Sequence, residues 1–82
     1  MDTRALVITA LAKEVRRTPE EVSEAQSLDA LGIESLDMVS VIMSLEDALN
    51  IHISDRDLYN VESLDDLITL VERTKAEHDA VQ

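Results

Sequence analysis

Near the C-terminal end of the chain, Leu64, Leu67, Ile68 and Val71 fall at i, i+3, i+4 and i+7, the spacing that places side chains along one stripe of an α-helix. Helical spacing recurs upstream, as Ile8, Leu11 and Val15 within residues 3 to 16, and as Met38, Val41, Ile42, Leu45 and Leu49 within residues 35 to 49. No stretch shows the alternation of β-branched and polar residues expected of a half-buried strand. The expected fold is therefore all-α, a small four-helix bundle. Its three main helices span residues 3–16, 35–49 and 62–76, and a short helix over 55–60 takes Ser54 as its cap. At 82 residues the chain has the length for one domain at most. Residues 1–82 are expected to form that domain, with a polar tail, residues 76–82, that frays.

The first connection is long. Within it, "TPEE" gives Thr18 as a cap, Pro19 at a first helical position and Glu21 to complete a capping box. That is enough for one short turn of helix inside the loop. Val22, Leu28, Leu31 and Ile33 are the residues available to pin this loop to the core.

Composition narrows the chemistry. Apolar residues make up 45% of the chain, almost all of them aliphatic, with no Phe, no Trp and one Tyr. A core of this kind is small and lacks aromatic anchors. The absence of Cys excludes disulfides, thiolate zinc sites and a cysteine nucleophile. The formal net charge of −11 argues against nucleic-acid binding, because the phosphate backbone would be repelled. No apolar run reaches the length of a membrane span, and "MDTRALVITA" lacks the basic region and cleavage site of a signal peptide. A cytoplasmic monomer that does not insert into membranes is expected.

The charge is unevenly placed. Between Arg17 and Arg56 there is no Lys or Arg, but there are nine acids: Glu20, Glu21, Glu24, Asp29, Glu34, Asp37, Glu46, Asp47 and Asp55. They read either as a solvated surface or as a face that steers basic partners. The helix over 35–49 sharpens that choice. Opposite its core stripe, Leu36, Val39 and Met43 form a second apolar strip beside Glu46 and Asp47, with Asp37 to one side. A helix with apolar residues on both sides is either buried all round or offers one side to a partner. The first reading has the long loop covering Leu36 and Val39; the second makes the strip a docking face with an acidic rim.

At the start of this helix stands Ser35, three residues after Gly32, the only glycine in the chain. By position alone Ser35 reads as an N-cap, with Gly32 as the turn residue that leads the loop into the helix. A second reading makes it an exposed hydroxyl at the positive end of a helix, which suits an attached phosphate diester. A serine hydrolase does not fit. "GIES" is not followed by the glycine of a nucleophile elbow, and the only imidazoles are His52, in a loop, and His78, in the polar tail. A calcium loop over residues 55–66 also fails, because Tyr59 occupies the third ligand position and Asn60 stands where the loop needs glycine.

The stretch "LDALGIESLDMVSVIMSLEDALNI" resembles the core signature of acyl carrier proteins, D-L-G-x-D-S-L followed by a helix of alternating apolar and acidic residues. The likeness extends over roughly residues 4 to 74, through an amphipathic helix before the motif and the acidic "ISDRDLYNVESLDDLITLVE" after it. It implies that Ser35 is the attachment point of 4′-phosphopantetheine, covalently donated from coenzyme A. The chain would then carry acyl or aminoacyl groups as thioesters and perform no catalysis itself. It also implies partners: a phosphopantetheinyl transferase, acyl or aminoacyl ligases and transferases, and synthases with basic docking patches. They would meet Glu34, Leu36, Asp37, Val39, Met43, Glu46 and Asp47. The sequence departs from the family pattern at several places: Glu34 stands for Asp before the serine, Ile33 for a small residue, Ser40 and Ala48 for acids, and Leu28 and Leu49 for Phe. Arg56 adds a cation to a normally acidic short helix. These departures point to a specialised lipid, polyketide or aminoacyl pathway rather than housekeeping fatty-acid biosynthesis. The alternative from another class is an acidic helical interaction module without a prosthetic group.

With 18 acids against 7 bases, self-repulsion opposes compaction. The melting temperature is expected to rise with added sodium chloride and with millimolar magnesium, through screening and weak carboxylate binding. Thermal melts read by circular dichroism across both series test this, and a midpoint indifferent to both additions contradicts it.

Overall fold

A computed structural model describes residues 2 to 80. Five α-helices follow one another: α1 (Thr3–Val15), α2 (Pro19–Glu24), α3 (Ser35–Leu49), α4 (Asp55–Leu58) and α5 (Leu64–Ala80). A single 3₁₀ turn, Asp29–Leu31, lies between α2 and α3. Among the described residues there is no strand. The architecture is the expected helical bundle, with α1, α3 and α5 as its main members.

Each helix starts where the chain offers an oxygen to its first N–H groups. Before α1, the Asp2 carboxylate accepts from the amides of Arg4 and Ala5 at 3.0 and 3.4 Å. The α2 capping box forms as the sequence suggests: Thr18 Oγ1 accepts from the Glu21 amide at 3.2 Å, and the Glu21 carboxylate accepts from the Thr18 amide at 3.3 Å. Ser54 caps α4 through the Arg56 amide. For α5 the reciprocal pair is Ser63 and Asp66, at 3.0 and 3.2 Å, which sets the start of that helix at Leu64 rather than at residue 62. The helix also continues past residue 76 to Ala80. Polarity alone does not end a helix: residues 72–80 contain no Gly or Pro, and Lys75 pairs with Asp79 one turn on at 2.8 Å. Residues 76–80 of the tail expected to fray are thus helical; residues 81 and 82 lie outside the described residues.

The centre of the core consists of seven fully buried aliphatic side chains: Val7 and Leu11 from α1, Val22 from α2, Val41 and Leu45 from α3, Leu67 and Val71 from α5. Helix α1 packs against α2, α3 and α5. Contact with three neighbours widens its buried arc, which is centred on Val7, Leu11 and Ala12, while Ile8 and Val15 of the expected stripe are only partly buried. On α3 the expected stripe holds at Val41, Ile42, Leu45 and Leu49, with Met38 half-exposed at its start. Val22, Leu28 and Leu31 anchor the first connection in the core, and Ile33 packs against its edge. The Leu28 amide also donates to the Glu62 carbonyl at 3.0 Å, tying this loop to the segment after α4. Two core residues lie in the loop between α3 and α4: Ile51 and Ile53 are buried, with His52 between them exposed.

Helix α1 ends at Arg16, which adopts a left-handed conformation (φ 58°) so that its amide closes on the Ala12 carbonyl. A side chain with a Cβ is disfavoured there by about 1–2 kcal/mol, part of which glycine returns as chain entropy. Arg16→Gly is therefore expected to stabilise the fold by up to about 1 kcal/mol, seen as a higher urea midpoint at unchanged slope. A lower midpoint would show that the Arg16 side chain contributes more than its backbone strain costs.

Candidate functional site

Gly32 has φ 75° and ends the 3₁₀ turn, its amide donating to the Asp29 carbonyl at 2.9 Å. A Cβ built on Gly32 would meet no atom within 4 Å. The glycine is therefore required by the backbone angle and not by space. After this turn Ile33 packs inward and the chain extends at Glu34 (φ −105°, ψ 173°).

Glu34, and not Ser35, is the N-cap of α3. Its carbonyl accepts from the Met38 amide at 2.9 Å, and its own amide donates to the Asp37 carboxylate at 3.0 Å. The N-cap reading of Ser35 is thus corrected by one position: the extended residue is Glu34, and Ser35 is the first helical residue. Its side chain is exposed and is free of capping duty, at the end of α3 where first-turn amides have no carbonyl one turn back to bond.

Beside Ser35 opens a cleft of about 490 Å³. Leu28, Ile33, Met38, Leu58 and Val61 give it apolar walls, and Asp29, Glu34 and Glu62 stand among its polar lining. It is bounded by the first connection, the start of α3, and the segment from α4 toward α5.

The outer face of α3 is bare. Leu36, Val39 and Met43 are 82%, 53% and 59% exposed, so the first loop does not cover them. Asp47 is exposed nearby. Asp37 is half-buried and folded onto the Glu34 amide. Glu46 differs from the other expected rim residues. Its side chain is only 22% exposed, and Oε2 accepts from the Ile53 amide at 2.8 Å and lies 3.2 Å from His52 Nδ1. Sequence reading placed Glu46 on the rim by helical angle and missed this contact, because it spans seven residues across a turn.

Several acids are thus engaged by backbone amides. Hydrogen bonds from the Thr18 backbone and hydroxyl hold the Glu21 carboxyl below its ordinary range, with Arg17 adding to the effect. Donation from the Glu62 and Ser63 amides does the same for Asp66. Ser40, Ala48 and Arg56, where the sequence departs from the acidic pattern, are all exposed.

A family model described as "phosphopantetheine attachment site" matches residues 5–71. An acyl carrier protein homolog from Mycoplasmopsis pulmonis is 34% identical over 73 residues, covering 89% of this chain and 96% of that protein. An acyl carrier protein from Syntrophobacter fumaroxidans is 30% identical over 80 residues, covering 93% and 99%. The chain belongs to the acyl carrier protein family. It is accordingly a carrier and not a catalyst, and its prosthetic group is covalently attached 4′-phosphopantetheine. The interaction module without a prosthetic group is set aside by the same matches. Acyl carrier proteins work with a phosphopantetheinyl transferase and with synthases, and this carrier shares those classes of partner. Among the described residues no helix is long and apolar enough to cross a membrane.

The start of α3 fits such a group. It presents an exposed hydroxyl, a helix N-terminus that favours the negative charge of a phosphodiester, and an open cleft alongside.

Proposed function

We propose that Ser35 is the attachment residue and that residues 1–82 constitute one carrier domain. The observation that carries this reading is the division of roles at the start of α3: Glu34 and Asp37 terminate the helix, which leaves the Ser35 hydroxyl exposed and unengaged as a cap. In the loading step the transferase joins Ser35 Oγ to the phosphorus of the phosphopantetheine portion of coenzyme A. The pyrophosphate bond breaks, the nucleotide leaves, and the serine proton passes to a base of the transferase. When attached, the arm supplies the thiol on which acyl or aminoacyl cargo is carried. The chain's own residues present the hydroxyl, flank it with apolar walls and offer a surface to the enzymes that act on the arm.

That surface is the outer face of α3. Leu36, Val39 and Met43 supply apolar contact close to Ser35, and Glu34, Asp37 and Asp47 add negative charge suited to basic patches on transferases, ligases and synthases. The apolar part contributes affinity, while the charges mainly speed encounter. Incubation of wild-type protein with coenzyme A and a broad-specificity transferase is expected to add one phosphopantetheine by intact mass, and Ser35→Ala is expected to add none. In the same assay Met43→Asp should slow loading with helix content unchanged by circular dichroism. Continued modification of the alanine variant overturns the assignment of Ser35.

The pathway is proposed to be a specialised one in the cytoplasm. Ser40 and Ala48 place small neutral side chains on α3 where the family pattern has acids, and Arg56 places a cation on α4, all in exposed positions. Synthases that meet acids with basic side chains lose those contacts and meet a like charge at Arg56. Malonylation and elongation of the loaded wild-type carrier by fatty-acid-synthase enzymes should be slow, and Ser40→Glu combined with Arg56→Glu should accelerate both. Turnover equal to that of a housekeeping carrier in the same assay assigns the chain to general fatty-acid synthesis instead.

A further inference from the structure

The Glu46 carboxylate is engaged by the loop after α3, and that loop leads to the cleft beside Ser35. We propose that Glu46 is a positioning residue: its carboxylate latches the α3–α4 connection and thereby sets where α4 stands as the far wall of that cleft. The inference rests on the carrier reading of Ser35 and adds a control element to it.

Helix α4 cannot fix its own position. This helix has four residues, none of them buried, and Leu58 is only partly packed against the core. A single turn of helix has no stability of its own, because nucleation fixes several residues for one hydrogen bond. Its position must come from its two ends. On the exit side the restraint is multiple. The Glu62 carbonyl accepts from the Leu28 amide at 3.0 Å, and the Asp66 carboxylate accepts from the amides of Glu62 and Ser63 at 3.1 and 3.2 Å.

On the entry side, Ile51 and Ile53 are buried and the Ile51 amide donates to the Glu46 carbonyl at 3.2 Å; nearer α4, one side chain holds the backbone. Glu46 Oε2 accepts from the Ile53 amide at 2.8 Å, a charge-assisted bond of the stronger class. The same oxygen lies 3.2 Å from His52 Nδ1. Glu46 is one full turn from the end of α3, which makes it a firm anchor, whereas the loop it grips leads directly into Ser54 and α4. Leu58 and Val61, just beyond, line the cleft. Release of the entry side would leave α4 pivoting on its exit side and would widen the gap between Leu58 and Met38.

Two measurements test this, one on the unloaded chain and one on the loaded carrier. In native-state hydrogen exchange of the unloaded chain, Glu46→Ala should speed exchange at Ile53, Asp57, Tyr59 and Val61 about ten- to a hundredfold. Those amides bond to Glu46, Ser54, Arg56 and Leu58 in the wild type. Amides in the middle of α1 and α5 should keep their protection relative to one another. Glu46→Gln retains an acceptor for the Ile53 amide and should recover most of the protection, which also serves if the alanine variant folds poorly. Acceleration spread evenly over all helices, or none at the four amides, overturns the latch.

The apolar walls of the cleft would shelter an acyl chain carried beside Ser35, so in the second measurement wild type and variants are loaded with an octanoyl thioester and cleavage by hydroxylamine is timed. Glu46→Ala should be cleaved several-fold faster than wild type, Glu46→Gln close to wild type, and Glu72→Gln, an exposed acid of α5 remote from the contact, at the wild-type rate. A wild type that loads normally while Glu46→Ala is cleaved at the wild-type rate overturns the control of the cleft and leaves the attachment residue intact. A wild type that does not load, read beforehand by intact mass, overturns the assignment of Ser35 and with it the role given to the latch.

Discussion

Leu11, Leu45 and Leu67 are fully buried in one cluster, and the three long helices are held together by that aliphatic contact and by the valines around it. Each such side chain contributes about 1.5–3 kcal/mol by leaving water. Without Phe or Trp the chain cannot replace them with a few large anchors, so every main helix must contribute a continuous stripe. That demand determines how α3 is used. Its inner stripe is required for the core at Val41, Ile42, Leu45 and Leu49, and among the described residues no element covers its outer side. The exposed strip of Leu36, Val39 and Met43 is therefore a consequence of chain economy.

The acidic surplus has a structural role within the fold. Asp2, Glu21, Asp37, Glu46 and Asp66 each accept from backbone amides at helix starts or in loops. A carboxylate near the positive end of a helix is favoured by the local dipole, so a chain built of short helices with many starts has many places for an acid. The same residues that raise the self-repulsion of the fold thus supply its local restraints. This divides the run of nine acids between Arg17 and Arg56: Glu21, Asp37 and Glu46 are committed to the backbone, while Asp47 remains exposed beside the apolar strip.

What could be read from the sequence follows from the range of the interactions involved. The span of α3, the capping box of α2 and the burial of Val22, Leu28 and Leu31 depend on spacing within a few residues, and spacing is visible in a string of letters. The stripe on α1 shifted because its burial is decided by three neighbours, α2, α3 and α5, whose directions are not encoded locally. The start of α5 moved because Ser63 and Asp66 pair with each other, a capping signal that the periodicity of Leu64 and Leu67 overshadowed. Ile51 and Ile53 sit two apart with a polar residue between them, a two-residue alternation too short to separate from loop. The grip of Glu46 on Ile53 could not be read at all, since it requires the chain to reverse at Asn50, which adopts φ 55°.

The exposure of the Ser35 hydroxyl follows from the local geometry at the start of α3. A serine at the N-cap directs its hydroxyl back toward the amides of the first turn, where it is occupied and sheltered. One residue further on, at the first helical position, the hydroxyl is relieved of that role and lies exposed at the end of the helix. The cap must then come from elsewhere, and the residue before the serine provides it. Glu34 takes the extended conformation and Asp37 folds back onto its amide. The acid required for this cap is thus Asp37, and Glu34 contributes through its backbone. Gly32 completes the arrangement, because only a left-handed residue at this point lets the chain leave the 3₁₀ turn, bury Ile33 partly and still extend at Glu34. A Cβ at Gly32 would find open space but an unfavourable angle. The cost of a substitution there would accordingly fall on the presentation of Ser35 more than on the packing of the core.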